Sequence, residues 1–158
     1  MSDASFHDGR EAPLNLGAFT PEDLQVMSTL VQDAVLPAKE MSWRAKDHRF
    51  AILLNRFRWE DQQAAERRGR SYERVQSLLT IETVLGVSSQ GVNPRERDLV
   101  LSLLSVSFEP GEDGSGHVLL TFAGDGAIRL QVEALELSLR DVTRPYVAPS
   151  KHLPGHSD

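Results

Sequence analysis

Chemistry needs nucleophiles, proton carriers or ligating groups at workable spacing, and this chain offers few of them. It has no cysteine, which removes thiolate nucleophiles, disulfides, iron–sulfur ligation and zinc sites built on Cys. Five histidines are present, His7, His48, His117, His152 and His156. None forms an HxxxH or HExxH pair, so no metal ligand is assigned. His117 alone, at the start of an expected strand, is placed to approach a cleft as a general base, but no partner for it can be named. Asp98, Asp125, Glu133 and Asp141 fall at expected strand ends or corners, where carboxylates commonly cap turns. Two carboxylates can run hydrolysis, yet distance along the chain does not give distance in space. The sequence has no GxGxxG, no GxxxxGK[ST] and no GxSxG; Gly86 to Gly91 (GVSSQG) has the wrong spacing, so Ser88 reads as a loop serine. No catalytic residue and no cofactor is assigned.

For binding, the most distinctive string is Asn55 to Glu60, NRFRWE, with Arg56, Phe57, Arg58 and Trp59 at its centre. Trp and Arg in sequence can form an interface hot spot. The plainer reading is an ordinary strand whose Phe57 and Trp59 cover the core edge while Arg56 and Arg58 face water. Arg67, Arg68, Arg70 and Arg74 follow, interleaved with Glu60, Asp61, Glu66 and Glu73, which reads as a solvated mixed-charge face.

The bulk properties narrow the partners. A formal charge of −6 argues against a general nucleic-acid binder, whose affinity comes from neutralising phosphates. No apolar run reaches the ~18 residues of a membrane span, and no basic-then-apolar leader opens the chain. The expectation is a cytoplasmic protein with no membrane and no nucleic-acid partner. At 158 residues the chain fits one domain that can bury a core unaided.

The elements that must position these groups centre on Val118 to Val132, VLLTFAGDGAIRLQV. Apolar residues alternate on both sides of a glycine-rich turn, the pattern of a half-buried hairpin. A three-residue loop, Gly124-Asp125-Gly126, pairs Phe122 with Ile128, Leu120 with Leu130 and Val118 with Val132, with Gly126 supplying the left-handed residue. Upstream, residues 1–13 read as a loose arm, and Leu14 to Leu16 as a short edge strand. Thr20-Pro21-Glu22-Asp23 starts a helix whose face carries Leu24, Met27, Val31 and Ala34 or Val35, closed before Pro37. Met41–Arg44 and Arg49–Trp59 form a second hairpin. Glu60 to Arg68 is either a short helix closed by Gly69 or a loop. Ser71 to Val92 holds two strands with a corner at Glu82-Thr83. Leu99 to Phe108 is a strand. Leu135, Leu137 and Leu139 alternate in another, although Glu133 to Arg140 also has high helix propensity. Residues 143–158, rich in proline, form a flexible tail or an extended arm.

Several strings together resemble a known family: Thr20 to Leu24, Gln32 to Val35, Arg49-Phe50 with LLNRFRWE (Leu53 to Glu60), LSLLSVSFEP, and LTFAGDGAIRLQVEALELSLRD. They are similar to the alphaproteobacterial domain-of-unknown-function family DUF2948, over roughly Leu14 to Tyr146. The resemblance implies a cytoplasmic protein with no assigned activity and no catalytic residues to carry over.

The expected fold class is α+β: a mostly antiparallel sheet of roughly seven to nine strands, curled or in two layers, with one N-terminal helix on its apolar face. The corner patterns Ile81-Glu82-Thr83-Val84 and Val132-Glu133-Ala134-Leu135 suggest two related meanders within one domain at 14–142. The expected function is a non-catalytic binding module, self-associating or engaging another protein. The alternative is a small-molecule-binding domain or enzyme with a pocket inside the curled sheet and His117 at its mouth.

Overall fold

The apolar alternation of Val118 to Val132 folds as the expected hairpin in the computed structural model of the protein, which describes residues 12–93 and 95–147. In chain order the elements are β1 (Asn15–Ala18), α1 (Pro21–Leu30), β2 (Ala34–Pro37), β3 (Met41–Arg44), β4 (Arg49–Phe57), α2 (Gln62–Arg67), β5 (Glu73–Ile81), β6 (Val84–Gln90), β7 (Val100–Pro110), β8 (Gly116–Phe122), β9 (Gly126–Val132), β10 (Leu137–Asp141) and β11 (Tyr146–Val147). Strand pairing is antiparallel throughout, in the order β1-β10-β5-β4-β2-β7-β8-β9-β6, with β3 added to β4 and β11 to β5. The sheet does not close. Eleven strands are described, more than expected, because β2 and β11 are too short to announce themselves by alternation. No helix among the described residues is long and apolar enough to cross a membrane.

The hairpin register differs from the expected one. Phe122 pairs with Gly126, Leu120 with Ile128 and Val118 with Leu130, so the loop is Ala123-Gly124-Asp125. Its left-handed residues are Gly124 (φ 83°) and Asp125 (φ 69°). Gly126 serves a different need: a Cβ there would come 3.0 Å from Val92 Cγ2 and 3.4 Å from Gly91 O. A shift of two leaves every side chain on its face, and Val118, Leu120, Phe122, Ile128, Leu130 and Val132 are all buried.

The helix is shorter than its apolar stripe suggests. Thr20 Oγ1 accepts from the Asp23 N–H at 3.1 Å, and Asp23 Oδ2 accepts from the Phe19 N–H at 3.2 Å, which fixes the start. The helix stops at Leu30, Asp33 turns left-handed (φ 64°), and Ala34 and Leu36 enter the core as alternate residues of β2. Val35 and Leu36 ahead of Pro37 favour extended backbone over another helical turn. α1 packs on β7 and on β1, so it lies against both halves of the sheet, with Leu24, Met27 and Val31 in the common core.

Two bent strands join those halves. β5 runs into β6 through Glu82-Thr83, and β9 into β10 through Glu133 to Glu136. The corners bond to each other: the Glu82 N–H donates to Glu136 O at 2.9 Å, the Glu133 N–H to Thr83 O at 3.0 Å, and Thr83 Oγ1 donates to Ala134 O at 2.9 Å. Their shared apolar–acid–small–apolar pattern thus belongs to two strands turning the same bend side by side. Glu60 to Arg68 resolves as a 3-10 turn at Trp59–Asp61 followed by α2, and Gly69 (φ 65°) stands just beyond it. Glu133 to Arg140 resolves as corner and strand. Parity in β7 shifts at a bulge between Leu103 and Ser105, so Leu101, Leu103 and Val106 face inward, with Leu104 and Phe108 half-buried. The start of the expected tail is ordered: the Gln76 N–H donates to Thr143 Oγ1 at 3.0 Å and β11 pairs with Glu73 and Arg74. Residues 1–11 of the expected arm and 148–158 of the tail lie outside the described residues.

Candidate functional site

The parity of β4 decides the fate of the Arg and aromatic string. Phe50, Ile52 and Leu54 point into the core, and Arg56, next on that face, follows them and is fully buried. Ser77 on β5 and Asp141 on β10 likewise extend the inward sets that contain Leu79 and Leu139. These three polar residues meet at one end of the core. Arg56 Nε donates to Ser77 Oγ at 3.0 Å and Nη2 to Asp141 Oδ1 at 3.0 Å. Nη1 and Nη2 also grip Glu60 Oε1 and Oε2 at 2.9 and 2.7 Å. Asp141 accepts from Ser77 Oγ at 2.6 Å and from the Leu14 N–H at 2.9 Å. Burial alone pulls the Arg56 pKa down, but Glu60 and Asp141 outweigh it and hold the guanidinium above its ordinary value.

Beside this node, Arg58 is buried against Glu73 and lies 3.8 Å from Asp61, while Arg70 holds the buried Asp61 with two bonds of 2.6 Å. Phe57 is buried with its ring 4.6 Å from that of Trp59 and 5.5 Å from that of Tyr72. Trp59 is half-buried, and its Nε1 donates to Gln32 O at 3.0 Å. The expectation that Arg56 and Arg58 face water is therefore corrected: both are buried, and Arg56, Arg58 and Trp59 each bond within the chain, so the string is a structural clamp. Each member is an alternation ending in a polar residue, which is the sequence signal that could have located it. What the sequence could not supply is the partner, since Arg56 and Asp141 stand 85 positions apart.

His117 also departs from expectation. On β8 the buried side chains are Val118, Leu120 and Phe122, so His117 lies on the opposite, outer face, half-buried in a shallow groove with Glu112, Asp113, Gln131 and Glu133. It does not stand at the mouth of an interior pocket; apolar side chains such as Leu54, Leu103, Phe122 and Leu130 fill the inside of the curl. Among the described residues no group of three or more His, Asp or Glu comes together as metal ligands.

The outer face of the other half-sheet carries a feature that sequence reasoning missed. Strand registers align Gly17, Ser138, Thr80, Ala51 and Ser42 in one row across β1, β10, β5, β4 and β3. All five are small, so the row forms the floor of a trough, a cleft of about 520 Å³. Arg140 and Asn15 stand on one side, and Arg49, Arg44 and Glu82 on the other. Arg49 Nε bonds both Glu82 oxygens, at 3.0 and 3.1 Å, and Arg44 lies 3.8 Å from Asp47. Arg140 has no carboxylate partner among the described residues. At the β1 end the exposed Phe19 ring lies over Gly17, where a Cβ would come 3.0 Å from Phe19 Cε2. Three arginines against one lining carboxylate make this patch positive on a chain of net charge −6.

The sequence signature of DUF2948, described as a protein of unknown function, matches residues 14–156. The chain belongs to this family. No curated protein and no solved structure matches it. In this DUF2948 chain the clamp bonds inward to Glu60, Glu73, Ser77 and Asp141, whereas the trough presents cations and hydroxyls to solvent. Its arrangement suits the capture of negative charge, with guanidinium forks matched to carboxylates.

Proposed function

We propose that this DUF2948 protein is a non-catalytic binding module whose working surface is the trough over β1, β10, β5, β4 and β3, and whose occupant is an extended acidic segment of a partner protein. The observation that carries the reading is the charge: three arginines flank a row of small residues on a chain that is otherwise acidic. Five strands at ~4.8 Å spacing give a floor roughly 19 Å long, which takes about six residues of extended chain. The rims are four residues apart along the strands, roughly 13 Å, so acidic side chains on either side of such a segment reach Arg140 and the Arg44–Arg49 pair. An open, polar trough gives a small molecule little of the enclosure that pockets for drug-sized ligands provide.

Fluorescence anisotropy with a labelled hexaglutamate peptide, and hexalysine as control, tests this. Hexaglutamate should bind at low salt and weaken as salt rises, and Arg140→Glu should reduce the affinity at least about tenfold, or ~1.4 kcal/mol. Equal binding by wild type and Arg140→Glu, or hexaglutamate no better than hexalysine, would overturn the reading. Tight capture of inorganic phosphate in place of the peptide would point to a small anion instead.

A further inference from the structure

We infer that β6 is a self-association edge, and that two copies of this chain join by antiparallel pairing of β6 with itself. Val84 to Gln90, VLGVSSQ, contains no charged residue and no proline, in a chain whose residues are 25% charged. Sheets that stay monomeric usually blunt such an edge with Lys, Pro or a covering element. β6 pairs with β9 on one side. On the other side, among the described residues, only its first residue is occupied: the Val84 N–H donates to His48 O at 2.8 Å, and His48 Nδ1 donates to Val84 O at 3.2 Å.

Beyond that plug, Leu85 to Gln90 pair with no second strand among the described residues. The strand's bulge lies at the corner end, between Val84 and Gly86, and Val87 to Gln90 continue in regular register with Leu130 to Ala127. Leu85 is 45% exposed, and Val87 is partly buried against the core. The strand stops at Gly91, which is left-handed (φ 72°). Alternate residues of a free edge aim N–H and C=O groups outward, and the group that satisfies them in series is another strand.

A second copy is the occupant that the composition favours. An uncharged edge facing its own copy brings no like charges together, whereas approach through the rest of an acidic surface is repulsive. The other terminal edge, β1, is four residues long, and the exposed strand β3 carries Arg44. A two-fold axis perpendicular to the sheet keeps both cores on one side and sets a residue of β6 opposite its own copy. With Leu85 to Gln90 overlapping, that residue is Val87 or Ser88. Strand pairing alone buries a modest area, so the dimer should dissociate in the micromolar range, on the order of 10 µM.

Sedimentation velocity on the intact chain is the first arm. Wild type should shift from monomer to dimer as concentration rises through that range, and Ser88→Lys, at an exposed position, should weaken association at least about tenfold. Because the chain has no cysteine, cross-linking is a second arm that does not depend on the lysine variant. Either Val87→Cys or Ser88→Cys should form an intermolecular disulfide under mild oxidation, while exposed Ser107→Cys on β7 should not. A wild type still monomeric at about 1 mM, an open-ended ladder of oligomers, a dimer indifferent to Ser88→Lys, or cross-linking at neither β6 position would each overturn the inference. The trough lies on the other half-sheet, so its failure and this one are separately readable.

Discussion

Arg56 illustrates how a charged side chain behaves when the strand that carries it continues into the core. The guanidinium is stripped of water, and its five donors are answered by Glu60, Ser77, Asp141 and the Phe57 carbonyl. Removing one partner leaves the other charge buried, so Asp141→Ala should cost about 3–5 kcal/mol in urea denaturation. Arg56→Met combined with Asp141→Leu should lose clearly less than the sum of the single changes. An additive pair of losses would show that the two do not act as one unit. On the surface, the Tyr72 hydroxyl donates to Glu66 Oε2 at 2.8 Å and, with Gln62, holds that carboxyl below its ordinary pKa, while Tyr72 itself is raised by the same bond. A depressed carboxylate stabilises the fold above its unfolded pKa and loses that contribution as pH falls through the lowered value. A raised phenol contributes below its unfolded pKa and loses this as pH rises through the raised one. Tyr72→Phe should therefore move the Glu66 titration upward, as read by carboxyl carbon NMR; an unmoved titration would contradict the bond. None of this was legible from composition, because a run of mixed charge looks solvated whether or not strand parity turns part of it inward.

At the scale of elements, alternation carried most of the information and also set its limit. It located the hairpin, both corners and the capped helix, because apolar spacing and glycine placement are local signals. It could not distinguish the observed hairpin register from one shifted by two, since both keep Leu120 and Ile128 on the same face. What decides between them is non-local: Gly126 passes beneath Gly91 and Val92. Leu120, fully buried and opposite Ile128, should cost about 2–5 kcal/mol when replaced by Ala; a loss near zero in urea melts would remove the hairpin from the centre of the fold. A Cβ on Gly116 would collide with Glu109 O and come 2.8 Å from the Phe108 ring, so Gly116→Ala should destabilise by about 1–3 kcal/mol. A neutral Gly116→Ala would mean that β7 and β8 are not packed so closely. β2 escaped notice because four residues after a helix make too short an alternation, and the left-handed Asp33 that separates them leaves no mark in hydropathy.

For the whole molecule, the bent strands produce one sheet that carries the two proposed working regions. One half-sheet offers its outer face, where register lines up five small residues between arginines. The other ends in an uncharged edge. The trough could not be read from the sequence, since Gly17, Ser42, Ala51, Thr80 and Ser138 come from five separate strands and are unremarkable in their own surroundings. The family to which the chain belongs adds no function that would locate either region, so both rest on geometry and charge. The most direct measurement is an amide ¹⁵N–¹H titration of the intact protein with hexaglutamate at low salt. The trough account predicts saturable shifts concentrated at Ser42, Ala51, Thr80 and Ser138, with the amides of Arg56 to Trp59 and the β6 edge unmoved. Shifts centred on Arg56 to Trp59, or scattered over the surface without saturation, would contradict it.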